Sequence, residues 1–272
     1  MPAADTQLIL EQLRGGELQT PLVQDADLGG ASLGGLTLEG VIFQNTCLAG
    51  ADLSGLQATR CIFTNVDLAS ADLSNALFFE CTFNAMTSPE LSKEDTGTSL
   101  EVLELPPEAL ARMREAGIRG VRYKTANFNH TKLAGARFDS CSLKGIGFDG
   151  TDASAARFES VRLHDIMLNR VRLSGAELEA CEFLDCELGE SQLDGSRISR
   201  CVFQRCKFAQ VSFADGIIEQ TDLALCLFAE LEFQGARLTD VGLRDILPEV
   251  VSIRGAKLEG LRLTGVSVID VS

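Results

Sequence analysis

Ala51-Asp52-Leu53-Ser54-Gly55-Leu56-Gln57-Ala58-Thr59-Arg60-Cys61-Ile62-Phe63-Thr64-Asn65-Val66-Asp67-Leu68-Ala69-Ser70-Ala71-Asp72-Leu73 places a Leu or Phe at almost every fifth residue. The register extends in both directions. From Leu28 to Phe83 every residue number ending in 3 or 8 is Leu or Phe, except Ala58. From Phe128 to Val268, 23 of 29 such positions are Leu or Phe, four are Ile or Val, and Ala153 and Pro248 depart. Fourteen of the fifteen phenylalanines are in register, and Phe79 is the exception. Two residues before the large residues the chain is mostly small or mid-sized, as at Ala26, Val41, Cys61, Ala71, Ala136 and Cys201. Glycines collect at numbers ending in 5 or 0, among them Gly30, Gly55, Gly135 and Gly235.

A period of five fits neither a 3.6-residue helix nor a sustained two-residue strand alternation. It fits a short extended step followed by a corner. Within the step, the large residue and the small one two places before it share a side, and the residue between them points the other way. The corner calls for a permissive backbone, which accounts for the glycines. Four corners close a square coil of 20 residues, and successive coils stack at about 4.8 Å, the strand spacing of a sheet.

The units Ala26-Asp27-Leu28, Ala51-Asp52-Leu53, Ala71-Asp72-Leu73 and Ala126-Asn127-Phe128 resemble the A(D/N)LXX motif of the pentapeptide repeat family. The resemblance covers about three quarters of the chain, 41 units in all. It implies an all-β solenoid, a right-handed quadrilateral β-helix of about ten coils. The fold serves many roles, so function has to be sought in what the repeat leaves over. Resemblance to accessory proteins of bacterial secretion systems implies a cytoplasmic adaptor or chaperone, a non-enzymatic scaffold that binds another protein. The alternative is a DNA mimic that occupies a type II topoisomerase such as gyrase, as in the quinolone-resistance branch of the family.

Four segments follow from the register. Residues 1–25 form an N-terminal cap, with a helix over Thr6–Arg14 N-capped by Asp5, stopped by Gly15-Gly16 and apolar at Leu8, Ile9, Leu10 and Leu13. Residues 26–85 are the first repeat segment and 121–272 the second. Residues 86–120 are an insertion holding Pro89, Pro106 and Pro107. Within it, Ser88–Ser99 reads as a flexible acidic loop, and Pro106-Pro107 opens a helix over Glu108–Ala116. A long excursion from a rigid scaffold is where binding concentrates, so Leu103, Leu105, Leu110, Arg112, Met113 and Arg114 are the candidate partner-binding residues. Phe83 and Tyr123 are 40 residues apart, so the five-residue register survives the excursion. The last coil is expected to expose Val266, Val268 and Ile269, which allows a homodimer or a partner to cover that end.

Little material for catalysis remains. Eight of the nine cysteines occupy the inward slot, Cys47 being the exception, and read as small buried hydrophobes rather than metal ligands or disulfides. His130 and His164 are the only histidines and form no metal-spaced pair. No phosphate-cradling glycine motif occurs. An enzyme, a cofactor and a metal are therefore not expected. A net charge of −15 and a pI near 4.6 disfavour direct nucleic-acid binding. The absence of Trp and the single Tyr123 disfavour a base-stacking platform. No apolar run approaches the roughly 20 residues of a membrane span. The start Met1-Pro2-Ala3-Ala4-Asp5 lacks signal-peptide features, so a cytoplasmic location is the expectation.

The charge is uneven. Residues 1–85 carry ten acids and two bases, a net −8. Farther on, the outward column Arg137, Arg157, Glu177, Arg197, Ile217, Arg237, Lys257 runs beside Asp139, Glu159, Glu179, Ser199, Glu219, Thr239, Glu259. Mutual neutralisation is one reading, at roughly 0–1 kcal/mol per pair. The other is a charged docking strip made by Arg137, Arg157, Arg197, Arg237 and Lys257.

Overall fold

A three-residue extended step and a left-handed corner alternate along the chain, as the period requires. The computed structural model describes residues 3–16, 21–85, 89–92, 111–112, 114–115, 120–123, 126–246, 250–253, 255–265 and 268–270. The steps stack into a parallel solenoid of about ten turns, each strand pairing with the one 20 residues on, as in Leu22↔Ile42↔Ile62 and Arg197↔Ile217↔Arg237. The first face is an 11-stranded sheet from Leu22–Gln24 to Arg262–Thr264, and the fourth a 10-stranded sheet from Thr37–Glu39 to Lys257–Glu259. The second face begins as isolated bridges such as Asp27↔Cys47↔Asp67 and becomes a four-stranded sheet from Met167–Asn169 to Leu227–Glu232. The third face is held by bridges from Ser32↔Asp52 to Gln192↔Ser212.

Both inward positions of each step are buried along almost the whole rod. The phenylalanines stack coil on coil. Phe43, Phe63 and Phe83 form one pile with ring centroids 5.1 and 4.5 Å apart, and Phe78, Phe138 and Phe158 another at 4.9 and 5.1 Å. Such pairs contribute about 0.5–1.5 kcal/mol each beyond area burial.

The corners do not depend on glycine. Every fifth residue from Asp25 to Glu80 and from His130 to Asp245 has positive φ, and 25 of the left-handed residues among those described are not glycine. Asp and Asn tolerate this region best among them. They also bond along the rod: Asn45 Nδ2 donates to Asp25 Oδ1 and Asn65 Nδ2 to Asn45 Oδ1, both at 3.0 Å. Most corner N–H groups are satisfied by the next coil, as Asn45 N–H is by Thr64 O at 2.9 Å.

The cap is helix α1, Ala3–Gly15. It starts before Asp5, which therefore lies inside the first turn rather than at the cap position. Gly16, at φ +67°, ends the helix as anticipated. Leu13 is buried and Ile9 and Leu10 pack partly on the core, whereas Leu8 faces outward. The Arg14 guanidinium ties the helix to the first coil through Ser32 O at 2.9 Å. The solenoid begins at Leu22, before the expected boundary at residue 26.

The insertion leaves the rod at the corner after Thr82–Asn84, and the repeat resumes at Ala126. Pro89–Ser92 pairs antiparallel with Gly120–Tyr123. This stem replaces the loop expected over Ser88–Ser99 at its start, and it places residues 121–123 in the insertion rather than in the second repeat segment. Across it the pairing offset becomes 60, as in Leu77↔Arg137 and Thr82↔Ser142. The surplus is thus two whole coils, and the Phe78–Phe138 stack runs past it unbroken.

At the far end, the core positions Leu258 and Leu263 are left exposed. Val250–Ser252 pairs with Val268–Asp270 at an offset of 18 rather than 20, a separate two-stranded sheet. Val266 and Pro248 lie outside the described residues.

Two outcomes test this register. Removing residues 86–125, so that Ala85 joins Ala126, should leave the circular dichroism spectrum and Tm nearly unchanged, because the stacks on either side are already continuous. Phe138→Ala should cost about 3–5 kcal/mol in chemical denaturation, since its fully buried ring stacks on both neighbours.

Candidate functional site

The basic column lines up on the fourth face as the 20-residue spacing demands. Much of it is neutralised by its acidic neighbour. Arg137 reaches Glu159 at 3.1 Å and Asp139 at 3.4 Å. Arg157 bridges Glu177, Glu159 and Glu179 at 3.1, 3.3 and 3.4 Å. Arg197 pairs with Glu219 at 3.1 Å, and Arg200 joins Glu179 from the corner. Arg237 and Lys257 are exposed and form no ion pair among the described residues. A guanidinium held between carboxylates, as at Arg137 and Arg157, has little left to offer a charged partner, whereas Arg197 meets a single carboxylate.

Of the insertion candidates, Arg112 and Arg114 lie in helical residues and are exposed. Leu103, Leu105, Leu110 and Met113 lie outside the described residues.

The cysteines fill inward slots in stacks: Cys61, Cys81, Cys141; Cys181, Cys201; and Cys186, Cys206, Cys226. All eight are buried and unpaired, and Cys47 is half-buried. Each donates its S–H to a carbonyl of the preceding coil, as Cys81 does to Ala58 O and Cys201 to Leu178 O, both at 3.4 Å. Hydroxyls in the same slot behave alike: Thr131 donates to Leu68 O at 2.9 Å and Ser191 to Leu168 O at 2.8 Å. The slot therefore takes a hydrophobe, usually small but up to Leu56 or Ile146, or a donor with a carbonyl to meet. Cys81 is pushed up to about 12, first by the Cys141 thiol stacked on it and further by burial. Cys206 is pushed to about 12 in the same way by Cys186. The described residues contain no group of three or more side chains suited to a metal.

A different feature went unread in the register. On the first three coils the outward column Leu22, Ile42, Ile62 is apolar, with Leu22 and Ile62 exposed. Around the adjoining corner, Leu77 and Phe79 are each 37% exposed on the fourth face. Phe79 O accepts the N–H of the corner residue Arg60 at 2.9 Å, and Ile62 is the next outward residue past that corner. The signal was present in sequence: Phe79 is the one phenylalanine out of register, and an outward aromatic contributes nothing to the core.

Family models agree with this geometry. The description "Pentapeptide repeats (8 copies)" matches residues 24–55 and 48–84, and "Pentapeptide repeat region" matches 116–198, together more than half of the chain.

This chain belongs to the pentapeptide repeat family.

Among solved structures, it is similar to HetL, a pentapeptide repeat protein involved in heterocyst differentiation regulation in a Nostoc cyanobacterium. The identity is 18%, with 91% of this chain and 84% of that one covered, at a TM-score of 0.59. A trypsin-treated form of QnrB1, a plasmid-mediated fluoroquinolone resistance protein, also matches at 18% identity, with 89% and 90% covered and a TM-score of 0.41. At these identities the likeness is one of fold. No curated protein matches the sequence. Among the described residues, no helix is long and apolar enough to cross a membrane.

The pentapeptide-repeat core makes a direct statement about thiol chemistry. A disulfide-exchange reagent at pH 8 should titrate Cys47 in the native protein. The other eight thiols should appear only in denaturant, because burial in the stacked slots withholds access. Rapid reaction of more than one thiol per native chain would contradict the stacked slots.

Proposed function

We propose that this pentapeptide repeat protein is a non-enzymatic scaffold, an adaptor or chaperone of bacterial type that binds another protein in the cytoplasm. The observation that carries the reading is the exposed apolar column Leu22–Ile42–Ile62 with Leu77 and Phe79 around the corner. Side chains fixed in a row on paired strands lose little further freedom when a partner covers them. Removing them from water contributes about 25 cal/mol per Å². Large outward-facing apolar patches mark interaction sites. The surrounding segment carries ten acids against two bases over residues 1–85, so a partner with an apolar strip and basic flanks fits it best. The exposed Leu258 and Leu263 give the opposite end a second apolar surface, which a second copy or a partner can cover.

The DNA-mimic reading draws less support, because many of the acids on the second repeat segment already face arginines. A type II topoisomerase supercoiling assay with micromolar protein is expected to show no effect.

The scaffold reading is tested by affinity capture with three proteins in parallel: wild type, Ile62→Ser with Phe79→Ser, and the 86–125 deletion. Both exchanged side chains are exposed, so folding should be unchanged. The double variant should lose the partners that the wild type retains. An unaltered partner list for the double variant, with loss in the deletion, would move the binding surface to the insertion.

A further inference from the structure

The apolar column Leu22–Ile42–Ile62 has a repeat of its own. Its side chains stand on successive coils of one parallel sheet, in register at Leu22↔Ile42↔Ile62. Rows of a sheet are about 4.8 Å apart, so the outer two lie about 9.6 Å apart along the rod. An α-helix brings one side round every 3.6 residues, and seven residues advance it about 10.5 Å. Apolar residues at i, i+4 and i+7 of a helix therefore meet the three rows within about 1 Å. An extended chain presents one side every second residue, so three such residues span about 13 Å and run out of step with the rows.

The backbone also argues against an extended occupant. The column stands on the face of the sheet, where Ile42 N–H is taken by Pro21 O at 2.6 Å and Ile62 N–H by Val41 O at 2.9 Å. No strand can be added there, so side chains alone hold whatever covers the column. The adjoining corner supplies breadth. Leu77 and Phe79 lie one coil beyond Gln57 and Thr59 on the fourth face. Arg60, the corner residue bonded to Phe79 O, leads directly to Ile62. In the other direction the surface turns polar at Gln24, Gln44 and Thr64. The apolar strip is thus bounded, and its width matches the stripe of an amphipathic helix.

Charge sets the character of the helix's flanks. On these two faces and their corners, over the coils that carry the strip, the charged side chains are Asp25, Glu39, Glu80 and Arg60. Arg60 is already bonded to Glu39. Asp25 accepts from the neutral amide of Asn45, and Glu80 is exposed with no ion pair among the described residues. One uncompensated carboxylate therefore borders the strip on each side. On the next coil, Arg137 is held by Asp139 and Glu159. Building on the scaffold reading, on which it rests, we propose that the occupant of this strip is a basic amphipathic helix of a protein partner. The helix lies along the rod with its apolar stripe on Leu22, Ile42, Ile62 and Phe79. Lys or Arg on its flanks face Asp25 on one side and Glu80 on the other.

Fluorescence polarisation on the full chain with the labelled peptide acetyl-Lys-Leu-Ala-Lys-Lys-Leu-Ala-Lys-Leu-Ala-Lys-Lys-Leu-amide, apolar at helical spacing, tests the occupant. The control is an isomer of identical composition at strand spacing, acetyl-Leu-Lys-Ala-Lys-Leu-Lys-Ala-Lys-Leu-Lys-Ala-Lys-Leu-amide. Saturable binding of the first peptide is expected, with a gain in its helical circular dichroism, and the isomer should bind about tenfold more weakly. Ile62→Ser with Phe79→Ser should weaken the first peptide about tenfold, and Glu80→Gln several-fold. Leu227→Ser, which changes an exposed leucine far along the rod, should leave it unaltered. Glu80→Gln is an exposed exchange of equal size, so it keeps the test valid even where the serine variant loses Tm. Absence of saturable binding, equal affinity for the isomer, no gain in helicity, or full binding by the serine variant would each overturn the proposal. Such a failure alongside capture of column-dependent partners would retain the scaffold and remove the helix. Failure of both would remove the column as a binding surface.

Discussion

The backbone bond between residues 20 apart is the constraint on which everything else rests. A parallel strand pair in register stacks identical positions on one another, so every five-residue unit meets its own kind along the rod. Phenylalanine falls on phenylalanine, as at Phe183 and Phe203 with centroids 4.4 Å apart. Thiol falls on thiol, and corner amide on corner amide. The second inward slot is mostly small, because interiors packed at crystal-like density tolerate little surplus volume, yet some coils repack to bury Leu56, Ile146, Ile166 or Ile246 there. The outward residue escapes this restriction, which is why charge, leucine and glycine all occur there.

This division explains what could be read in advance. The inward periodicity states the coil length, the four faces and the buried cysteines, because each is a local consequence of one repeated geometry. The side-by-side basic and acidic columns on the fourth face were equally legible, since Arg157 and Glu177 are placed by arithmetic alone. The corners were only partly legible. Gly30 and Gly55 mark them, but Glu80, Arg170 and Leu225 adopt the same left-handed backbone, and tertiary pairing overrides their preference. The stem of the insertion was hidden because Pro89-Glu90-Leu91-Ser92 has no strand alternation of its own and gains one only from Gly120–Tyr123.

The surface features were the least legible. An apolar column such as Leu22–Ile42–Ile62 is three residues scattered over 41 positions, and it becomes contiguous only when the coils stack. Asp222 and Arg262 are likewise 40 residues apart in sequence and pair across Gly242 only because the coils stack. In a solenoid, function-bearing juxtapositions are read down columns, across the chain direction, so a linear motif search passes over them.

The insertion shows one more property of such a rod. Its ends meet at a single corner and its own antiparallel stem brings them together, so the solenoid does not carry the entropy of closing that loop. Beyond the stem, each doubling of the segment's length costs only about 0.6 kcal/mol. The corner after Asn84 therefore acts as a socket. Segments of different length and composition can occupy it in turn while the coils on either side keep their stacking, so the rod's surface can change without its architecture being renegotiated.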